Sequence, residues 1–223
     1  MIKLVIFDAE HVLYNAEGQI KYFNTKLAEF VKNNSNTDPQ ALGAIWKTLG
    51  NAVLVGKMSI LQAHKEFISR LGIRPELIEE YEAFDRESFN YAKLMEDDEE
   101  KYLRDLKIRN YKLAVLSDGV NPADTKAQIL EIVGLSGIFD KIFVSSDIGH
   151  KKPDSETYRA VMAAFKADSS ETVFVGHDLD ELEGAIALGI HTISYNGDRL
   201  GHEADSFSRI NEIIYSLDNG NRQ

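Results

Sequence analysis

The chain has 223 residues, 43% of them hydrophobic, and no cysteine. That composition fits a folded globular protein with a substantial core, and it excludes a disulfide framework, a thiol nucleophile and thiolate metal sites. A formal charge of −11 with no Lys/Arg-rich run argues against a nucleic-acid partner.

No apolar run approaches the roughly 20 residues that would span a bilayer, so no membrane segment is expected. The amino terminus, MIKLVIF, passes directly into a strand pattern without a signal-peptide cleavage site, and the expected location is the cytoplasm.

Five apolar runs read as strands buried on both faces: Lys3–Phe7, Lys112–Leu116, Lys141–Ser145, Thr172–Val175 and Ile190–Tyr195. Helical patterns separate the last four, over Asn121–Val133, Ser155–Lys166 and Leu179–Leu188. Strand–helix alternation predicts a Rossmann-like three-layer α/β/α core around a parallel sheet. Residues 15–91 break the alternation with helical patterns alone: Ile20–Lys32, Pro39–Val55, Ile60–Leu71 and Glu76–Tyr91. The expected organisation is a core from residues 1–14 and 92–223, with an all-helical cap inserted over 15–91. A further helix over Glu99–Lys107 ends near Asn110, a residue that tolerates the left-handed conformation. Trp46 lies at helical spacing among Leu42, Ile45 and Leu49 and reads as cap core. Ile210, Ile213, Ile214 and Leu217 read as a packing helix before a frayed tail at Asn219–Gln223.

Four strand ends carry candidate chemistry, because ligands collect at the carboxyl ends of parallel strands. Asp8 follows KLVIF, where a carboxylate can ligate a hard cation or act as a nucleophile, although a turn aspartate is the blander reading. Ser117, Asp118 and Gly119 precede a helix whose first N–H groups can bind an anion. Lys152 precedes Pro153, which constrains the loop and can aim the ammonium inward, whereas the neighbouring Lys151 reads as solvated. The acid-rich stretch FVGHDLDELEGA suits a divalent cation or the positive end of a helix dipole. An early acid of that stretch is expected to face the site, and later ones such as Glu183 to decorate the helix.

In this order the four pieces resemble the haloacid dehalogenase-like superfamily, which is mostly phosphatases, and SSDIGHKKPDSETY and LGIHTISYNG are similar to its lysine segment and final strand. The resemblance implies Asp8 as the nucleophile, Lys152 beside it, and phosphate held by Ser117, Lys152 and the N–H groups of Asp118 and Gly119. It implies Glu10 as the acid/base, and Mg²⁺ (or Mn²⁺ or another divalent ion) on Asp8, Glu10 and Asp178, with His177 as an alternative ligand.

The chain departs from the family pattern at three positions. Glu10 stands for an aspartate and moves the carboxyl by roughly 1 Å, a displacement that can cost about a hundredfold in rate. His11 stands for a glycine in a tight turn. His177 stands for a metal-binding aspartate, and imidazole suits Zn²⁺, Mn²⁺ or Co²⁺ better than Mg²⁺. The remaining histidines, 64, 150, 191 and 202, show no ligand spacing. The leading expectation is a Mg²⁺-dependent phosphatase of a small phosphorylated metabolite. The alternatives are a metal-independent 2-haloacid dehalogenase-like hydrolase and a degenerate member that binds without turnover.

Overall fold

Strand β1 (Leu4–Phe7) is buried along its whole length and forms the centre of the core. It pairs in parallel with β4 (Lys112–Ser117) on one side and β6 (Thr172–Gly176) on the other, in a register that sets Phe7 against both Val115 and Val175. Adding β5 (Lys141–Val144), β7 (His191–Tyr195) and β8 (Asp205–Phe207) gives a six-stranded parallel sheet in the order β5-β4-β1-β6-β7-β8. The chain, seen as a computed structural model, is described over residues 1–195, 205–207, 212, 213 and 217. Among the described residues no helix is long and apolar enough to cross a membrane.

Helices α5 (Glu99–Ile108), α6 (Ala123–Ile132), α8 (Ser155–Phe165) and α9 (Leu179–Ile186) join these strands. They divide the core into two apolar layers. One is built on Val5, Phe7, Leu103, Leu106 and Ile129, with Ile213 and Leu217 packed into it. The other is built on Leu4, Ile6, Tyr158, Phe174 and Leu182. A sheet covered on both faces explains why its strands read as near-continuous apolar runs. The three-layer α/β/α expectation holds.

The insert forms helices α1 (Glu17–Asn34), α2 (Pro39–Leu54), α3 (Ile60–Arg70) and α4 (Ile78–Ser88) around a separate cluster of Phe30, Leu49, Val53, Phe67 and Tyr81. Local chemistry sets their starts: Asp38 accepts the Gln40 N–H ahead of α2, and Ser59 and Gln62 close a capping box on α3. Trp46 packs edge-on to Phe67 within this cluster, as its spacing predicts. His64 is buried between Trp46 and Tyr81 and faces Glu82 at 3.5 Å.

Several boundaries differ from the sequence reading. The expected Glu76–Tyr91 helix is α4 flanked by 3₁₀ turns at Pro75–Leu77 and Phe89–Tyr91, with Pro75 in the first turn, where its missing N–H leaves no bond unmade. Pro122 caps α6 from outside instead of occupying its first position. Two-residue strands β2 (Tyr14–Asn15) and β3 (Lys93–Leu94), too short to show a period, pair antiparallel where the insert leaves and rejoins the core. A short helix α7 (Ser145–Ile148) follows β5 directly. Asn110 is left-handed, with φ of 67°, as expected. His202, Ile210, Ile214 and Asn219–Gln223 lie outside the described residues.

Two positions in this frame yield measurable consequences. The second turn of α9 lies so close to the Lys152–Pro153 loop that a Cβ on Gly184 would stand 2.7 Å from the Pro153 Cβ and 2.8 Å from its carbonyl oxygen. Gly184→Val is therefore expected to lower stability by about 1–3 kcal/mol in chemical denaturation, since backbone here cannot yield as a flexible side chain would. Glu99, in the first turn of α5, is fully buried, and burial outweighs the backbone N–H groups of Glu96 and Met95 and pushes its pKa up to about 9. Its folded pKa exceeds the unfolded value, so its stabilising contribution is complete at acid pH and is lost as pH rises toward 9. Glu99→Gln, neutral at every pH, should flatten the fall in Tm between pH 5 and 9, and parallel wild-type and variant curves would refute this account.

Candidate active site

The site forms where β1, β4 and β6 end together. Asp8 follows Phe7 out of the central strand and donates its backbone N–H to the Val175 carbonyl, so its position is an extension of the sheet. It is 6% exposed. Oδ1 accepts the Ala9 N–H at 2.8 Å and lies 2.7 Å from Lys152 Nζ, while Oδ2 lies 3.3 Å from His177 Nδ1. Burial pushes the Asp8 pKa up, but the Lys152 ammonium and His177 outweigh it and hold the carboxyl at about 2. Asp8 is a fixed anion.

Lys152, 3% exposed, reaches this point from the loop between α7 and α8, and its peptide bond to Pro153 is cis. The Asp118 carboxylate accepts its backbone N–H at 3.1 Å. Its ammonium also lies 2.8 Å from Glu181 Oε2. Burial works against the charge of Lys152, but Asp8, Glu181 and Asp118 more than compensate and keep its pKa above the ordinary lysine value. Glu181 is pushed up to about 7, by burial first, against the pull of Lys152. Asp118 is raised by burial as well. Asp8, at hydrogen-bonding range, raises His177.

The expected phosphate cradle is partly committed elsewhere. Ser117, 2% exposed, ends β4 beside Asp8 as predicted. The Gly119 N–H, however, donates to the buried Ser145 hydroxyl at 3.2 Å, and the Ala123 N–H at the start of α6 donates to the Asp147 carboxylate at 2.9 Å. A carboxylate already neutralises this helix end, which weakens it as an anion site.

The Mg²⁺ implied by the resemblance requires several oxygen donors converging on one point. Here Glu10 Oε1 instead faces the Tyr14 hydroxyl at 3.2 Å and Lys126 Nζ at 3.3 Å. The Asp178 carboxylate accepts the Asp180 N–H and serves as the N-cap of α9. Position 177 offers a nitrogen already directed at Asp8. Among the described residues no group of three or more His, Cys, Asp or Glu side chains converges as a metal site would. These donors do not fit Mg²⁺ coordination. His11 takes the left-handed conformation, with φ of 62°, at the position where the resemblance places glycine, and its ring lies 5.1 Å from that of His177.

Sequence reasoning placed Asp8, Ser117, Asp118 and Lys152 together, and the fold does so. It missed Glu181, the acid of the α9 stretch that faces the site and is anchored where the Tyr158 hydroxyl donates to its carbonyl at 2.6 Å. The cluster of acids was the available signal; helix phase selects the member. It also passed over Lys126 and Tyr14, which meet Glu10 in the fold. His150 pairs with Asp154 at 2.7 Å, away from these residues.

A family model described as haloacid dehalogenase-like hydrolase matches residues 2–189. Among curated proteins, the chain is similar to the pyrophosphatase PpaX of Bacillus velezensis, 29% identical over 52% of this chain and 53% of that one. It is also similar to a phosphoserine phosphatase of Thermus thermophilus, 29% identical over 58% of this chain and 51% of that one. The chain thus spans about half the length of these relatives. In fold it is similar to a 2-haloacid dehalogenase from Pseudomonas syringae pv. tomato, with a TM-score of 0.78, 20% identity and coverage of 99% and 100% of the two chains. An L-2-haloacid dehalogenase from Xanthobacter autotrophicus, with chloropropionic acid covalently bound, gives a TM-score of 0.66 at 17% identity, over 98% and 99% of the chains. Sheet order, the strand-end cluster and the family match over residues 2–189 lead to one assignment: this chain belongs to the haloacid dehalogenase-like hydrolases.

Proposed function

We propose that the chain hydrolyses a small acid carrying a displaceable group on carbon, of the 2-haloacid class, through a covalent ester on Asp8. The supporting observation is the charge around that carboxylate. Lys152 and His177 hold Asp8 as an anion, yet Glu181 contacts the same ammonium and the Asp118 carboxylate, on the Lys152 backbone N–H, adds negative charge nearby. A monoanionic substrate with a neutral carbon electrophile can approach this arrangement. A phosphate dianion would need positive charge beyond what these side chains supply.

In this reading an Asp8 oxygen attacks carbon, and the bond to the leaving group breaks with its electron pair, releasing halide. Water then attacks the Asp8 carbonyl carbon of the ester and frees a 2-hydroxy acid, a proton and the original carboxylate. Lys152 orients Asp8 and disperses its charge. Glu181, with a pKa of about 7, and His177 are the groups within the cluster suited to take the water's proton. Ser117 and the Asp118 N–H orient the substrate carboxylate. Residues 15–91 act as the cap over a core of 1–14 and 92–223, and a water-soluble substrate of this kind suits a cytoplasmic enzyme.

Phosphomonoester hydrolysis through an aspartyl-phosphate on Asp8 is the second reading. The phosphatase relatives and the strand-end hydroxyl of Ser117 favour it.

Halide release from 2-chloropropionate in EDTA, run beside phosphate release from a panel of phosphorylated metabolites with and without Mg²⁺, separates the two. The expected result is halide release indifferent to EDTA. Asp8→Asn should reduce it by a factor on the order of 10³ or more, as loss of a nucleophile does. Mg²⁺-dependent phosphate release would reverse the order of the readings, and turnover of neither substrate would leave a binding protein.

A further inference from the structure

The turn after β1 brings together three side chains that the proposed reaction does not use. The Ala9 carbonyl accepts the N–H groups of Leu13 and Tyr14, at 2.9 and 3.2 Å, and the His11 N–H donates to the Tyr14 carbonyl at 2.9 Å. A backbone bridge then sets Glu10 beside Tyr14. The Tyr14 hydroxyl donates to Glu10 Oε1 at 3.2 Å and accepts from Lys126 Nζ at 2.6 Å. Lys126 itself lies 3.3 Å from Glu10 Oε1. The Lys126 and Tyr14 side chains are buried, while that of Glu10 is 43% exposed.

A buried ammonium is costly unless an anion compensates it, and Glu10 Oε1 is the carboxylate within contact of this one. The pairing therefore fixes Glu10 as well as Lys126. It also places a full positive charge against an oxygen that a divalent ion would have to share. On the other side of the turn, His177 Nδ1 faces Asp8 Oδ2 and Lys152 faces Asp8 Oδ1. Both carboxylates of the D-x-E turn already have nitrogen cations or donors of the chain's own at contact distance.

We propose that Lys126 is a positioning residue that, with Tyr14, anchors Glu10 and supplies the positive charge a divalent ion would otherwise bring to the D-x-E turn. The inference rests on the reading of Asp8 as the reacting carboxylate, and it goes further by assigning a role to a helix residue with no contact to substrate.

The test is binding of Mn²⁺ alone, followed by electron paramagnetic resonance on the full chain without substrate. Wild type is expected to leave the added ion free. Lys126→Met should raise Mn²⁺ affinity about tenfold or more, as removal of a contact charge from a partly exposed carboxylate predicts. Lys126→Met with Glu10→Gln should return it to the wild-type level, which a merely structural loss at position 126 would not do. Circular dichroism and Tm check that each variant is folded. If Lys126→Met does not fold, Tyr14→Phe retains the ring and removes only the hydroxyl that anchors Glu10, and a rise in affinity is expected again. Stoichiometric Mn²⁺ binding by wild type, or no gain in a folded variant, overturns the proposal. Because no turnover is measured, activity surviving Asp8→Asn would remove the functional reading and leave this comparison standing.

Discussion

The buried ammonium of Lys152, held 2.7 Å from Asp8 and 2.8 Å from Glu181, is the interaction on which the site depends. An isolated charge at 3% exposure would cost several kcal/mol, and close carboxylates make it tolerable. Satisfying it requires three separate segments to converge. β1 must deliver Asp8, the loop after α7 must turn Lys152 inward, and α9 must start close enough for Glu181 to reach. Gly184 meets the last requirement, since any Cβ there would meet Pro153. The Asp118 carboxylate fixes the Lys152 backbone from the β4 side.

Charge is distributed in a consistent way around this point. Asp8 is held ionised while Glu181 is raised toward neutrality, so one carboxylate is suited to attack and another to proton transfer. The second acid of the turn, Glu10, is drawn away to Lys126 and Tyr14. The turn therefore separates its two carboxylates, Asp8 and Glu10, by giving each a different lysine. The inserted helices meet this region as well: Val120, just beyond Ser117, packs against their aromatic cluster, and Gly56 approaches the chain at Gly149.

Much of the fold was legible because its signals are local. Apolar runs such as LVIF and TVFV mark strands buried on both faces, and Asp38-Pro39 and Ser59-x-x-Gln62 mark helix starts. Departures arose where length or pairing decides. Tyr14–Asn15 and Lys93–Leu94 are too short to carry a period and exist as strands only because each finds the other. The candidate site divided in the same way. Asp8, Ser117 and Lys152 sit at fixed offsets from strand ends, so order along the chain placed them. Glu181 among its neighbouring acids, and Lys126 on its helix, depended on helix phase and on what lies across the gap.

The sequence by itself determined the parallel sheet, the inserted helices and the three strand-end residues, because periodicity and capping are properties of neighbours in the chain. Only the tertiary structure decided the partners: His177 on Asp8 rather than a converging set of oxygens, Asp178 as a helix cap, Gly119 donating to Ser145, and Lys126 on Glu10. Those outcomes turn on distances of a few ångströms between segments as far apart in the chain as those of Asp8 and His177. Electrostatic energy varies steeply at such distances, and in a buried setting the nearest counter-charge fixes what each ionisable group becomes.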